Sequence, residues 1–211
     1  MQGWSADKCW REECGVFAAV GVPRAAEVVG LGLHALQHRG QESSGLVSCD
    51  ERGEFHSHKG IGLVSDVYDD TILAGLAGHM AIGHNRYSTT GSLTLENTQP
   101  LRVVYRGGPL ALAHNGNLVN ARELRLGLEG SGSIFQTTLD TEIFLHLIAL
   151  APHDDHQEAL IEAAKQVRGA YSMVVMAGEA VYALRDPHGF RPLCIGRLGD
   201  GYVVASESCA L

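Results

Sequence analysis

Strand-length apolar runs occupy both ends of this 211-residue chain, while helix-length periodic segments stand in consecutive runs in its middle. Cys14 to Val20 is a short apolar run stopped by Gly21 and Pro23, the pattern of a buried strand. Residues Ala25 to Leu36 carry Val29, Leu33 and Leu36 at helical spacing. Strand-like pieces follow at Gly45 to Cys49, Phe55 to Lys59, Met80 to Tyr87 and Ala111 to His114. Helices are then predicted over Ala121 to Leu128, Thr141 to Leu150 and Glu158 to Val167. The last stretch returns to strands at Ala170 to Met176, Ala180 to Leu184, Leu193 to Gly196 and Tyr202 to Ser206. Segregated strands and helices exclude alternating βαβ units and predict an α+β domain built on antiparallel meanders. No repeat or linker divides the chain, so one domain is expected.

Composition narrows the partners. A net charge of −8, from 16 basic against 24 acidic residues, argues against nucleic acid or an anionic membrane. No apolar run approaches the roughly 18 residues of a membrane helix. Asp7, Lys8, Arg11, Glu12 and Glu13 interrupt any secretory signal core. Five scattered cysteines without a C-x-x-C pair read as reduced, cytoplasmic thiols. Glycine is in excess, 26 residues of 211, where average usage is about 7%, which predicts tight turns and close backbone approach to a ligand.

Four features carry possible chemistry. Cys14 opens a buried strand just after a polar leader. It is either a packed thiol or, with residues 1–13 removed, an N-terminal nucleophile whose own α-amine, of pKa about 8, serves as base. Asn115-Gly116 after a strand is either a turn or a pair of converging donors, the side-chain amide and the glycine N–H, that forms an oxyanion hole. Arg86 at the end of a buried strand needs a carboxylate, from the protein or from a substrate. Asp140 ahead of an apolar helix is either its N-cap or the partner of a substrate ammonium group. Together these suit an amino acid whose side chain is an amide.

The motifs around these residues, Glu13-Cys14-Gly15-Val16-Phe17, Leu36 to Glu42, Gly83 to Thr89, His114 to Leu118, Asp140-Thr141-Glu142 and Ala205 to Ala210, resemble the glutaminase half of the amidophosphoribosyltransferases. These are class II glutamine amidotransferases with the N-terminal-nucleophile hydrolase fold, and the resemblance covers nearly all of residues 14–211. It implies a four-layer αββα sandwich and a leader at 1–13. It also implies that Cys14 attacks the glutamine amide, Asn115 and Gly116 hold the oxyanion, Arg86 binds the α-carboxylate and Asp140 the α-ammonium. Thr89 would help bind substrate, and Arg39 would support the nucleophile from behind. In full-length relatives a phosphoribosyltransferase domain follows, which uses Mg2+ with phosphoribosyl pyrophosphate. Some relatives carry an iron–sulfur cluster, and a homo-oligomer is implied for the full-length enzyme. No cofactor is assigned to this chain, which is expected to be a fragment able to hydrolyse glutamine. Ala18 departs from the glycine more common there.

Other readings stay open: a glutamine-binding domain with its leader retained, the glutaminase domain of glucosamine-6-phosphate synthase, or a cysteine hydrolase with His38, His84 or His114 as base. His56 with His58, and the run His153-Asp154-Asp155-His156, are read as exposed and not as metal ligands. Asp186 to Gly189 reads as a turn. Cys49, Cys194 and Cys209 are read as core or half-buried thiols.

Overall fold

A computed structural model describes residues 14–87 and 94–211. Its elements run β1 (Gly15–Val20), α1 (Ala25–Ala35), β2 (Ser43–Cys49), β3 (Phe55–Ile61), α2 (Val64–Val67), α3 (Asp70–Gly75), β4 (Met80–Arg86), β5 (Leu101–Tyr105) and β6 (Gly108–Leu118), followed by α4 (Ala121–Gly130), α5 (Thr141–Leu150), α6 (His156–Gln166), β7 (Gly169–Ala177), β8 (Ala180–Arg185), β9 (Cys194–Leu198) and β10 (Gly201–Ala205). The strands form two antiparallel sheets, one in the order β3-β2-β4-β1-β10-β9 and the other β5-β6-β7-β8.

The layering follows from the alternation of side chains along each strand. In β1, Phe17 and Ala19 join Val29 and Leu33 of α1 in one apolar cluster. Val16 and Ala18 point the other way and pack with Met80 and Ile82 of β4, Ala111 and Ala113 of β6, and Val174 and Met176 of β7. The opposite faces of β6 and β7, through Leu110, Leu112, Met173 and Val175, bury Ile143, Phe144 and Leu147 of α5 with Leu160 of α6. Helix, sheet, sheet, helix is the four-layer αββα sandwich expected. The outer helix lies very close to its sheet: a Cβ on Gly32 would come within 2.4 Å of the Phe17 ring. No helix among the described residues is long and apolar enough to cross a membrane.

Three local expectations change. The Asn115-Gly116 pair is not a turn, because β6 continues through both residues to Leu118, paired in register with β7 from Leu110↔Ala177 to Leu118↔Gly169. The His153–His156 run is not simply an exposed loop: Asp155 caps α6 by accepting from the Glu158 N–H at 2.9 Å, and His156 Nδ1 meets the Tyr105 hydroxyl at 2.9 Å. Cys209 is exposed, not core or half-buried.

Candidate active site

The first half of the site is assembled at one end of the six-stranded sheet. Gly15 pairs with Asn85, and Ser43 with Arg86, so the next step of the β1–β4 register sets Cys14 opposite Arg86. The Cys14 thiol donates to the Tyr87 carbonyl at 3.4 Å and accepts from the Tyr87 N–H at 3.5 Å. Behind it, the 3-10 turn Gln37–Arg39 clamps the Cys14 backbone from both sides. The Cys14 N–H donates to the Arg39 carbonyl at 2.9 Å, and Arg39 Nε donates to the Cys14 carbonyl at 2.6 Å. Gly40 allows this turn to press on β4, since a Cβ there would lie 2.8 Å from the backbone of Asn85 and Arg86.

A guanidinium as deeply buried as that of Arg39 requires an anion. Its Nη1 donates to Glu207 Oε1, and Glu207 Oε2 faces His38 Nε2 at 3.1 Å. Burial pushes the Glu207 carboxyl up, but the Arg39 and His38 hydrogen bonds outweigh it and hold the group below its ordinary range. Arg86 is buried too, and its Nη1 donates to the Asn97 carbonyl at 3.3 Å.

The second half lies at the matching end of the four-stranded sheet. Val16 and Ala18 share their cluster with Ala111 and Ala113, and the strand period of two extends those same faces to Cys14 and Asn115. Asn115 is fully buried, and neither its Oδ1 nor its Nδ2 has a hydrogen-bond partner among the described residues. An unsatisfied amide costs on the order of 1–3 kcal/mol, which marks it as a group held ready for something else.

Gly116 shows the same state on the backbone. β5 pairs with β6 only as far as Leu112, so beyond that point one edge of β6 has no partner strand among the described residues. Val119 N–H bonds to the Arg168 carbonyl on the β7 side; by alternation the N–H groups of 114, 116 and 118 face the open edge. Two of those are capped by side chains. His114 N–H donates to Gln99 Oε1 at 2.7 Å, and Leu118 N–H donates to Asp140 Oδ2 at 2.8 Å. Between them, Gly116 N–H has no partner among the described residues. Its φ of +142° suits glycine alone, and a Cβ would fall 2.0 Å from the Ala170 carbonyl oxygen.

Asp140 precedes α5 without capping it: no side-chain cap bond is made there. Its other carboxylate oxygen lies 3.5 Å from His114 Nδ1. Burial would raise this carboxyl, but His114 and the Leu118 N–H outweigh it and keep it below the ordinary carboxylate range, hence ionised at neutral pH.

One segment ties the halves together. Asn97 accepts from Arg86, and its side-chain amide exchanges bonds with Thr138 at 3.1 and 3.3 Å, while Gln99 holds His114 through both N–H and carbonyl. The structure thus joins Cys14, Arg39, Arg86, Asn115, Gly116 and Asp140 at one end of the sandwich. Thr89 lies outside the described residues. Nothing in the sequence alone marks Glu207, Asn97 or Gln99 for a role. The fully buried Arg39 demanded an acid, but only the fold selects Glu207 among 24 acidic residues.

None of the three histidines is placed as a base for Cys14. His38 is engaged by Glu207 and by the Ala35 carbonyl. His114 turns to Thr141 and Asp140, on the helix side of its sheet. His84 lies inside the sandwich, where burial, then the neighbouring His114 and Arg86, bring its pKa down to about 3, too weak to take a thiol proton at neutral pH.

Against this geometry, residues 84–211 match the family described as the glutamine amidotransferase domain. The chain belongs to that family. As a glutamine amidotransferase domain it is 50% identical over 202 residues to amidophosphoribosyltransferase 1 of Arabidopsis thaliana, a chloroplastic protein, covering 95% of this chain and 36% of the relative. It is 46% identical over 202 residues to the amidophosphoribosyltransferase of Bacillus subtilis, covering 94% of this chain and 42% of the relative. The solved structure of glutamine phosphoribosylpyrophosphate amidotransferase from B. subtilis with ADP and GMP superposes at a TM-score of 0.87, with 46% identity over 93% of this chain and 42% of that one. A class-II glutamine aminotransferase domain protein from Silicibacter pomeroyi shares the fold at a TM-score of 0.57 and 16% identity. The chain thus spans about two fifths of the length of the curated relatives it matches.

Proposed function

We propose that this amidotransferase domain hydrolyses glutamine to glutamate and ammonia through a thioester on Cys14. The observation that carries the reading is the pair of donors left without partners among the described residues, the buried Asn115 amide and the Gly116 N–H, at the same end of the sandwich as a strand-end thiol. Removal of residues 1–13 would free the Cys14 amine, which the Arg39 carbonyl already orients. The amine takes the thiol proton as sulfur attacks the amide carbon. The tetrahedral oxyanion falls to Asn115 Nδ2 and Gly116 N–H. Collapse breaks the C–N bond, the amine returns its proton to the leaving nitrogen, and ammonia departs. Water then attacks the thioester, with the amine again as base, to give glutamate and the free thiol.

Arg86 fits the α-carboxylate, because it stands at the strand position opposite Cys14 and a planar guanidinium binds a carboxylate in fixed orientation. Asp140, anionic and partly accessible, fits the α-ammonium, and Thr89 is proposed to help bind the substrate. Cleavage before Cys14 is supported by its backbone: φ is +64° there, a left-handed conformation that costs a non-glycine residue about 1–2 kcal/mol. That torsion exists only while residue 13 is attached.

In the full-length protein the ammonia would pass to phosphoribosyl pyrophosphate, giving 5-phosphoribosylamine, the first step of de novo purine synthesis. We assign that second reaction, with its Mg2+, any iron–sulfur cluster and a homo-oligomeric state, to the full-length protein and not to this chain. The scattered, odd-numbered cysteines support a cytoplasmic location.

Two measurements test the glutaminase reading. Asn115→Asp should reduce kcat by roughly 10²-fold or more while glutamine binding changes much less; equal small effects on both would favour a binding module. Intact mass after treatment with an electrophilic glutamine analogue should show loss of residues 1–13 and one adduct on Cys14. Full-length mass with no adduct would refute the proposal.

A further inference from the structure

Behind the nucleophile, His38, Glu207 and Cys209 present one ligand atom each, all within 4.8 Å of one another. His38 Nδ1 lies 3.2 Å from the Ala35 carbonyl oxygen, which can only accept, so that nitrogen carries a hydrogen. Nε2 therefore faces the Glu207 carboxylate, another acceptor, at 3.1 Å. The Cys209 thiol reaches the same oxygen, Oε2, at 3.5 Å. The thiol proton bridges sulfur to Oε2, and a proton on Nε2 would bridge the ring to the same oxygen.

A cation replaces both. We propose that His38 Nε2, Glu207 Oε2 and Cys209 Sγ form a binding site for a thiophilic divalent metal ion of the Zn2+ class, with water completing the tetrahedron. Tetrahedral Zn2+ with these donors needs ligand–ligand edges of about 3.3–3.7 Å, close to the 3.1 and 3.5 Å present. A ring nitrogen fixed through its other N–H to a carbonyl is the usual arrangement of a metal-bound histidine. Glu207 is pinned through its second oxygen by the buried Arg39, so the carboxylate is already oriented. The site opens outward, since the side chains of His38 and Glu207 are 54% and 31% exposed. Mixed nitrogen, oxygen and sulfur donors favour Zn2+ or Co2+ over Mg2+ or Ca2+. Uptake exchanges the thiol proton, and any proton on Nε2, for the metal, so affinity rises with pH.

Titration of the whole chain with Co2+ tests this, read by thiolate-to-cobalt charge-transfer absorption, which requires no turnover and stands apart from the glutaminase reading. One Co2+ per chain should bind, Zn2+ should displace it, and the band should persist in Cys14→Ser. Cys209→Ser should abolish the band, and His38→Ala should weaken binding by ~10-fold or more. A band that survives Cys209→Ser, that disappears with Cys14→Ser, or that never forms overturns the proposal.

Discussion

At the scale of single residues, the site depends on groups left incomplete by the rest of the protein. Asn115 is buried with an idle amide, and Gly116 occupies a backbone conformation open only to glycine. Gly116→Ala should therefore do double damage. Its methyl would meet the Ala170 carbonyl, and the strained φ adds on the order of 1–3 kcal/mol, each 1 kcal/mol lowering Tm by about 2–4 °C. Thermal melts and kcat measured together should both fall; a variant with unchanged kcat would remove Gly116 from the oxyanion site. Cys14, Asn115, Gly116, Arg86 and Asp140 stood out in the sequence as candidates because each chemical type is unusual at its position: a thiol or a charge at a strand end, a turn-like dipeptide after one. Their supports were not. Gln99 and Asn97 are ordinary polar residues until the fold places them against His114, Thr138 and Arg86.

At the scale of elements, α1, α4, α5, α6 and most strands follow from apolar period, and α5 has the bounds its pattern predicts, whereas the short α2 and α3 were not predicted. The departures are in β5 and β6. β5 alternates Leu101, Val103 and Tyr105 inward against Arg102 and Val104, yet Val104 is 75% exposed and Pro100 precedes it, so the alternation is disguised. β6 outruns its expected end because β7 supplies a ladder across the Asn-Gly pair, a tertiary effect that local propensity does not contain. The six-stranded sheet also meets the 97–99 segment through backbone. Gly45 of β2 has no room for a side chain, its Cβ position lying 2.2 Å from the Gln99 carbonyl oxygen. Gly45→Ala should push the 97–99 segment away from both halves of the site. Steady-state kinetics should show a raised KM for glutamine, with stability lowered by about 1–3 kcal/mol; an unchanged KM would show that this segment does not position the substrate groups.

At the scale of the whole molecule, closing two sheets on each other carries ionisable groups into the interior, and that sets the response to acid. His84 has a folded pKa of about 3 against about 6.5 in an unfolded chain. Between those values the unfolded state binds a proton that the native state does not, so stability is full above about pH 6.5 and declines as pH falls toward 3. Asp140, also depressed, extends the loss below about pH 4. Urea midpoints followed from neutral to acid pH should show this slope, and His84→Leu should flatten it above pH 4; an equal slope in the variant would assign the acid sensitivity elsewhere. The same closure leaves β6 half interior and half edge, and Gln99 and Asp140 stand in for the strand that is missing beside its second half. They fill the rungs at 114 and 118 and leave the one between. In a deuterated solvent, Gly116 should therefore exchange its amide hydrogen quickly between two slow neighbours, and a bound glutamine analogue should bring all three into step.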